Sequence, residues 1–459
     1  MTTSVSAGER LDRLPIGAFH RRVMLLVGLG LFFDSFDNTL SAGVLASLLE
    51  TKWSSLQLNS LFLSVTYGGL ATGAALTGWV SDRFGRSFAF QFNLALFGSL
   101  ALCCALAPSM PWLIAIRALM AVGMGAEYVM CFGLIVEFMP AARRGRYLGM
   151  LGIFAGAGVT LSSLVGMLVI PLLGWRAMFV IGGLGTLWLW WMRRSLPESP
   201  RWLERMGRNA EAEAILGRIE LEAGVSASAG SELQARSTAS PAAQTAPQWV
   251  PITVLFSRPV IRRTLMAILL NVTCLFGSYT VTGWMPTFFV SQGMSVSRSL
   301  GFNAAIMAGF VAGPLLCAFI GDRLSRRWVI VIFGVLCAVF AAIYPFLTAP
   351  GLIIGCGFLL VSAIASFLIL GLGTAPEFFA TAYRFRGGGV AQTAGRLGVI
   401  ASPTVVLALF DGYGIGAVIG ALSGMYLIVA LLIATVDIES ARTKSTADLE
   451  PDATPTRSS

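Results

Sequence analysis

Apolar runs of about 20 residues, separated by short polar breaks, cover most of this chain. A helix rises about 1.5 Å per residue, so each run is long enough to cross a bilayer core of ~30 Å. Twelve runs are read, near 23–48, 58–80, 88–107, 110–138, 147–172, 175–192, 264–290, 300–320, 328–348, 350–376, 388–410 and 413–436. They are continuous and do not alternate at every second residue, which predicts helices and not barrel strands. The pattern breaks once, over 193–262. The charged stretch Glu204 to Glu222 predicts a short amphipathic helix, and the Ala-, Ser-, Thr- and Pro-rich tract Ser226 to Pro247 reads as a flexible linker. The expected organisation is a polar N-terminal tail (1–22), a six-helix bundle (23–192), a linker (193–262), a second six-helix bundle (263–438) and a polar tail (439–459). No short apolar segment with a small-residue cleavage site precedes the first run, which is therefore expected to act as an uncleaved insertion signal.

Composition agrees with an all-α membrane protein. The 459 residues are 56% hydrophobic and 12% charged, against about a quarter charged in soluble domains. The net charge of +9 is not a nucleic-acid signal, because the basic residues sit in short loops between runs. Arg83 and Arg86, Arg143, Arg144 and Arg146, Arg193 and Arg194, Arg323, Arg326 and Arg327, and Arg384 and Arg386 occupy alternate loops. The opposite loops offer little beyond Lys52, Arg176 and Arg298. This asymmetry predicts cytoplasmic termini. The seven cysteines lie in apolar runs without metal-ligand or disulfide spacing, so they read as small packing residues and no metal site is expected.

Two motifs recur at one offset. Asp82-Arg83-Phe84-Gly85-Arg86 returns 240 positions later as Asp322-Arg323-Leu324-Ser325-Arg326. Glu137-Phe138, with Ala142, Arg144, Arg146 and Gly149, returns at the same offset as Glu377-Phe378, with Ala382, Arg384, Arg386 and Gly389. A duplicated six-helix unit follows, a pattern that goes with secondary transporters whose site lies between the two halves.

At these motifs the chain resembles the major facilitator superfamily, whose second and third helices are joined by G-x-x-x-D-R-x-G-R-[RK]. Here the stretch reads Gly78-Trp79-Val80-Ser81-Asp82-Arg83-Phe84-Gly85-Arg86, with Ser87 at the last position, and Ala318 and Ser325 replace the glycines of the second copy. Pro197-Glu198-Ser199-Pro200-Arg201-Trp202-Leu203 resembles the sugar-porter and organic-ion branches. Asp34-Ser35-Phe36-Asp37 is similar to the D-G-[FY]-D motif of aromatic-acid/proton symporters, with Ser35 in place of Gly. The surroundings of Glu127 and Gly395-Arg396-Leu397-Gly398 are similar to bacterial niacin transporters and their organic-anion relatives. The resemblance implies twelve helices in two pseudo-symmetric bundles, a bacterial inner membrane, and alternating access by a single chain. It also implies that Asp82, Arg86, Glu137, Arg144, Asp322, Arg326, Glu377 and Arg384 form a charge network gating the cytoplasmic side. Read without the family, the same residues are topology signals and helix caps.

Ionisable groups inside the runs carry the candidate chemistry, because each costs roughly 2.5–3.5 kcal/mol to insert. Asp34 and Asp37, three apart, share one helical face, with Ser41 continuing it and Asn38 beside it. Two such carboxylates do not ionise together readily, which suits proton coupling. The alternative is a structural pair held by backbone or an arginine. Arg396, absent from the repeat because its counterpart is Gly156, is expected to grip a substrate carboxylate. Its alternative is a fixed pair with Asp34, Asp37 or Glu127. Glu127 is read as a second protonation site or as a structural partner of Arg117 or Arg396. Arg117 itself assists coupling or holds structure. Tyr67, Tyr128, Tyr279 and Trp284 are candidate rings for an aromatic substrate, against ordinary packing. His20, the sole histidine, reads as interfacial.

The expected function is proton-coupled symport of a small organic anion, an aromatic or heteroaromatic carboxylate, driven by a proton gradient without a cofactor and without enzymatic chemistry. No Gly-Lys-Ser/Thr phosphate loop is present to suggest ATP drive. A sugar or polyol porter, an organic-cation or drug exporter, and a non-transporting membrane sensor are the rivals.

Overall fold

A computed structural model describes residues 7–140, 143–223, 252–321, 325–379 and 384–435. The described chain is helical. A short α1 (Ala7–Arg13) precedes α2 (Ala18–Glu50), α3 (Leu56–Phe84), α4 (Arg86–Ala105), α5 (Met110–Phe138), α6 (Arg144–Leu173) and α7 (Trp175–Arg193). Two short helices follow, α8 (Pro200–Arg205) and α9 (Asn209–Glu222). The second series is α10 (Arg258–Ser291), α11 (Val296–Met307), α12 (Gly309–Gly321), α13 (Arg326–Ile343), α14 (Pro350–Thr374) and α15 (Arg384–Ala434). The amphipathic helix expected before the linker is α9. The tract from Ser226 to Pro247 and the tail from Ser440 lie outside the described residues.

Among the described residues ten helices are long and apolar enough to cross a membrane. The last, Arg386–Ala434, has 49 residues, more than twice what one crossing needs, since about 20 suffice. Gly414, at φ 75° and ψ −175°, breaks it into two crossings. α7 has 19 residues and packs against α4 and α2. It completes the twelve, and the fold is the all-α, twelve-span arrangement read from the sequence. Some hydroxyls inside the spans are satisfied by their own helix: Thr66 and Thr77 donate to the carbonyls of Phe62 and Gly73, each at 2.7 Å.

The chain forms two compact units. The first takes Met1–Ala242 with Thr282–Val311, and the second takes Ala243–Val281 with Ala312–Ser459. In the first, α2 packs on α5, α6 and α7, α3 on α5, and α4 on α5 and α7. α11 lies on α6, where Asn303 Nδ2 donates to Ser163 Oγ at 2.7 Å and Thr160 Oγ1 to the Met307 carbonyl at 3.2 Å. In the second unit α13 packs on α14 and α15.

The α3–α5 contact is unusually close. A Cβ at Gly73 would collide with the Val122 carbonyl group of α5, whereas one at Gly68, five residues earlier on α3, would meet open space. Gly73→Ala is therefore expected to destabilise by roughly 1–3 kcal/mol, and Gly68→Ala to change stability by less than about 0.5 kcal/mol. Thermal unfolding in detergent measures both, and equal shifts would contradict the close approach.

Candidate functional site

The two aspartates of α2 are both buried, but their surroundings differ. Asp37 is fully inaccessible and its Oδ2 is ion-paired with Nη1 of Arg117 from α5. The same guanidinium donates through Nη2 to the Asp37 carbonyl at 3.2 Å and to Ser41 Oγ at 2.7 Å. Its carbon lies 5.6 Å from the centre of the Phe62 ring. Asp37 is thus the member of the pair held by an arginine.

Glu127 is held as well, though by a partner the sequence reading placed elsewhere. Neither Arg117 nor Arg396 takes that role. Arg193, at the end of α7, donates from Nη1 to Glu127 Oε1 at 2.6 Å, and both side chains are fully inaccessible. The other Glu127 oxygen accepts from Asn93 Nδ2 of α4 at 3.0 Å. Arg193 also donates from Nε and Nη2 to the Leu26 carbonyl at 2.9 and 2.7 Å, and its guanidinium lies 3.9 Å from the Phe90 ring centre. Arg193 was counted with Arg194 as a loop charge. Periodicity could have separated them: Trp175, Met178, Phe179, Gly182, Gly183, Thr186 and Leu189 form the buried stripe of α7, and the next turn of that stripe is position 193. Arg194, one step round, leaves the stripe and stacks on Trp190 at 3.9 Å.

Asp34 has no such partner. It is 7% exposed, and its Oδ1 is buried without a hydrogen bond. It lies within electrostatic reach of Glu127, Asp37 and Arg117. The core of the first unit therefore holds three carboxylates and two guanidiniums, with both guanidiniums already committed. An isolated carboxylate in such a medium is costly unless a cation or a proton neutralises it.

The remaining candidates disperse. Tyr67 is buried with its hydroxyl facing Gly283 of α10. Trp284 is buried, stacks on Phe288 at 5.7 Å, and leaves its indole Nε1 without a partner. Asn38 is half-buried. Tyr128 is 42% exposed and rests against Phe132, with ring centres 5.0 Å apart. In the second unit Tyr279 and Arg396 are half-buried, and among the described residues Arg396 makes no ion pair. His20, read as interfacial, is fully buried and accepts from the Gly17 N–H at 3.2 Å.

The charged motifs at the arginine-rich helix ends form two connected clusters. Arg86 bonds Glu137 at 2.9 Å and Asp82 at 2.9 Å. Glu198 of the Pro197–Leu203 motif accepts from the Arg86 and Ser87 N–H groups at 2.9 and 3.1 Å, capping α4. Burial pushes the Glu198 carboxyl above its ordinary value, against these backbone donors. Trp202 Nε1 donates to the Asp82 carbonyl at 3.0 Å. Arg144 does not join this cluster. It pairs instead with Asp12 of α1, which also holds Arg201 at 2.9 Å. Arg10 pairs with Glu213 and Glu220 at 2.7 and 2.9 Å, and Arg22 with Glu222 at 3.1 Å. The N-terminal segment read as a polar tail is thus a helix strapped to α8 and α9. In the second copy Asp322 lies outside the described residues, as do the side chains of Arg326 and Arg384. Glu377 is half-buried in the short Ala375–Phe378 turn.

Comparison with known proteins gives this arrangement a family. Residues 27–316 match the Major Facilitator Superfamily. The inner membrane metabolite transport protein YdjE of Escherichia coli (strain K12) is 33% identical over 443 residues, covering 94% of this chain and 96% of that protein. The niacin transporter NiaP of Acinetobacter baylyi is 32% identical, covering 88% and 91%. The crystal structure of a D-xylose-proton symporter superposes with a TM-score of 0.72 at 19% identity, covering 93% of this chain and all of that one. The chain belongs to the major facilitator superfamily and has its transporter fold.

The Arg117–Asp37 pair makes a direct prediction. Arg117→Ala strands a buried carboxylate and should cost about 3–5 kcal/mol, whereas Arg117→Ala combined with Asp37→Asn should recover much of that loss. Unfolding in detergent measures the cycle, and a double variant no more stable than Arg117→Ala alone would show that the pair is not coupled.

Proposed function

We propose that this chain is a proton-coupled symporter of a small organic anion, of the aromatic or heteroaromatic monocarboxylate class. The observation that carries the coupling is Asp34, the one carboxyl of the buried three that has no arginine. A proton there balances the charge of the bundle, and its loss restores a charge that lipid disfavours. Arg396 carries the cargo reading. It stands free of carboxylate partners among the described residues, and a guanidinium can grip a substrate carboxylate through two parallel hydrogen bonds. Asn38, Tyr67, Tyr128, Tyr279 and Trp284 are the polar and aromatic groups assigned to contact the substrate, and Asp82, Arg86, Glu137 and Arg144, with Asp322, Arg326, Glu377 and Arg384 in the second copy, are assigned to switching. The relative named as a niacin transporter is consistent with a heteroaromatic acid. The proton gradient is the driving force, a single chain is the working unit, and the arginine-rich helix ends face the cytoplasm with both termini.

A sugar or polyol is the competing cargo. The fold neighbour titled as a xylose-proton symporter and the Pro197–Leu203 motif favour it, and a sugar would have no need of Arg396. Uptake into proteoliposomes separates the two. Labelled nicotinate or benzoate is expected to accumulate only under an inward proton gradient, with Asp34→Asn reducing accumulation at least tenfold. Arg396→Gln is expected to abolish carboxylate uptake. Accumulation of xylose in place of the acids, or carboxylate uptake indifferent to Arg396→Gln, would replace the anion reading with the sugar one. Uptake of either solute that ignores the gradient would remove proton coupling.

A further inference from the structure

We propose that Arg193 is a positioning residue that withdraws Glu127 from proton exchange and so limits the buried cluster of Asp34, Asp37 and Glu127 to a single exchangeable proton per cycle, carried on Asp34. The proposal deepens the proton-coupled reading above and rests on it for the word cycle, though not for the count of protons.

Both acceptor oxygens of Glu127 are occupied. Its Oε1 accepts from Arg193 Nη1 at 2.6 Å and from the Cys131 thiol at 3.3 Å, and its Oε2 accepts from Asn93 Nδ2 at 3.0 Å. An ionised carboxylate is acceptor-only, and Arg193 and the Asn93 amide N–H both donate to this one. A protonated Glu127 would leave Arg193 charged and unmatched in the bundle. Arg193 cannot turn away to relieve this. Its Nε and Nη2 are tied to the Leu26 carbonyl, Nη2 also reaches the Val27 carbonyl at 3.4 Å, and the plane lies against Phe90. The guanidinium thereby joins α2, α5 and α7, and Asn93 brings in α4.

The sequence makes room for this assembly at one point. A Cβ at Gly30 would strike both Arg193 Nη2 and Glu127 Oε1. Asp34 lies one turn further along α2 on the same face. The ionisable groups facing Asp34 and Glu127 are Asp37 from α2, Arg117 and Cys131 from α5, and Arg193 from α7. α4 contributes Asn93, which is uncharged. Facing this stretch of α2, α6 contributes Gly158 against the Phe32 backbone and Ser162, whose hydroxyl donates to the Phe36 carbonyl at 2.7 Å. With Asp37 neutralised by Arg117 and Glu127 by Arg193, Asp34 is the remaining carboxyl whose charge is free to change.

Infrared difference spectroscopy between acidic and alkaline pH, on reconstituted protein with carboxyl-labelled glutamate, counts buried carboxyl groups that gain a proton. The wild-type protein is expected to show a buried carboxylic-acid band that is insensitive to the glutamate label and lost in Asp34→Asn, and no label-sensitive band that is lost in Glu127→Gln. A band from Glu198, whose carboxyl is pushed up by burial, is assigned by its loss in Glu198→Gln. Arg193→Gln is expected to add a second band that shifts with the label and disappears when Glu127→Gln is combined with it. Arg193→Lys, which keeps the charge, is expected to add none. A label-sensitive buried band already present in wild type and lost in Glu127→Gln would overturn the proposal, as would an Arg193→Gln protein without a new one. Should Arg193→Gln fail to fold, the Glu127→Gln comparison in the otherwise native protein decides alone: no change in band count supports the proposal. The proton-to-solute ratio from reversal measurements is expected to be one in wild type and to rise towards two in Arg193→Gln. A wild-type protein that moves solute without protons would defeat the coupling reading while leaving the band count to judge Arg193.

Discussion

A carboxylate inside a bilayer must hold either a cation or a proton, and among the described residues the buried cluster of the first unit has three carboxyls, Asp34, Asp37 and Glu127, for two guanidiniums, Arg117 and Arg193. Asp37 takes Arg117 and Glu127 takes Arg193, each pair fully inaccessible. Buried ion pairs of this kind are poor sources of net stability, because desolvation offsets most of the attraction. Their use here is positional. Each arginine reaches across helices to a carboxylate and to backbone carbonyls, so α2, α4, α5 and α7 are tied at fixed points, and the unmatched charge is left on Asp34. The rest of the site follows from that imbalance.

The second unit shows what the same scaffold looks like without it. At the constant offset of 240 residues, Asp34, Asp37, Asn93, Arg117, Glu127 and Arg193 correspond to Cys274, Gly277, Phe333, Gly357, Phe367 and Ile433. These positions form an ordinary apolar core. A Cβ at Gly277 would meet the Tyr426 ring, that ring lies 5.2 Å from Phe367, and the Cys274 thiol donates to the Phe367 carbonyl at 3.6 Å. The reverse holds for Arg396. Its counterpart Gly156 packs so closely on the Phe310 carbonyl, 2.9 Å from a notional Cβ, that no arginine would fit. The duplicated helices thus share a backbone plan, while the paired buried charges belong to the first copy and Arg396, unpaired among the described residues, belongs to the second.

Much of this was legible in the sequence, and the limits have physical causes. Run length fixes helical crossings because the bilayer sets the length, and the repeat was visible because its motifs sit at helix ends where polarity is unmasked. The Asp34–Asp37 spacing showed two carboxylates on one face. It could not show that only one of them faces an arginine, because that depends on how α5 is rotated against α2. Arg193 was overlooked because an arginine at a helix end ordinarily reports topology. Only its register with the apolar stripe of α7 marks it as an inward residue. The docking of α1 was also hidden, since Arg10 and Asp12 find their partners some 130 to 210 positions away on α6, α8 and α9, and the two buried apolar residues of α1, Ala7 and Leu11, are too few to mark a packed helix.

Solute counterflow shows whether Asp34 is the site whose proton is exchanged, because exchange of labelled for unlabelled solute needs the binding site and the conformational switch but no net proton movement. Asp34→Asn, fixed in the neutral form, is expected to retain counterflow close to the wild-type rate while losing accumulation driven by a proton gradient. An Asp34→Asn protein that still accumulates solute along the gradient would contradict the assignment and move the proton elsewhere in the chain.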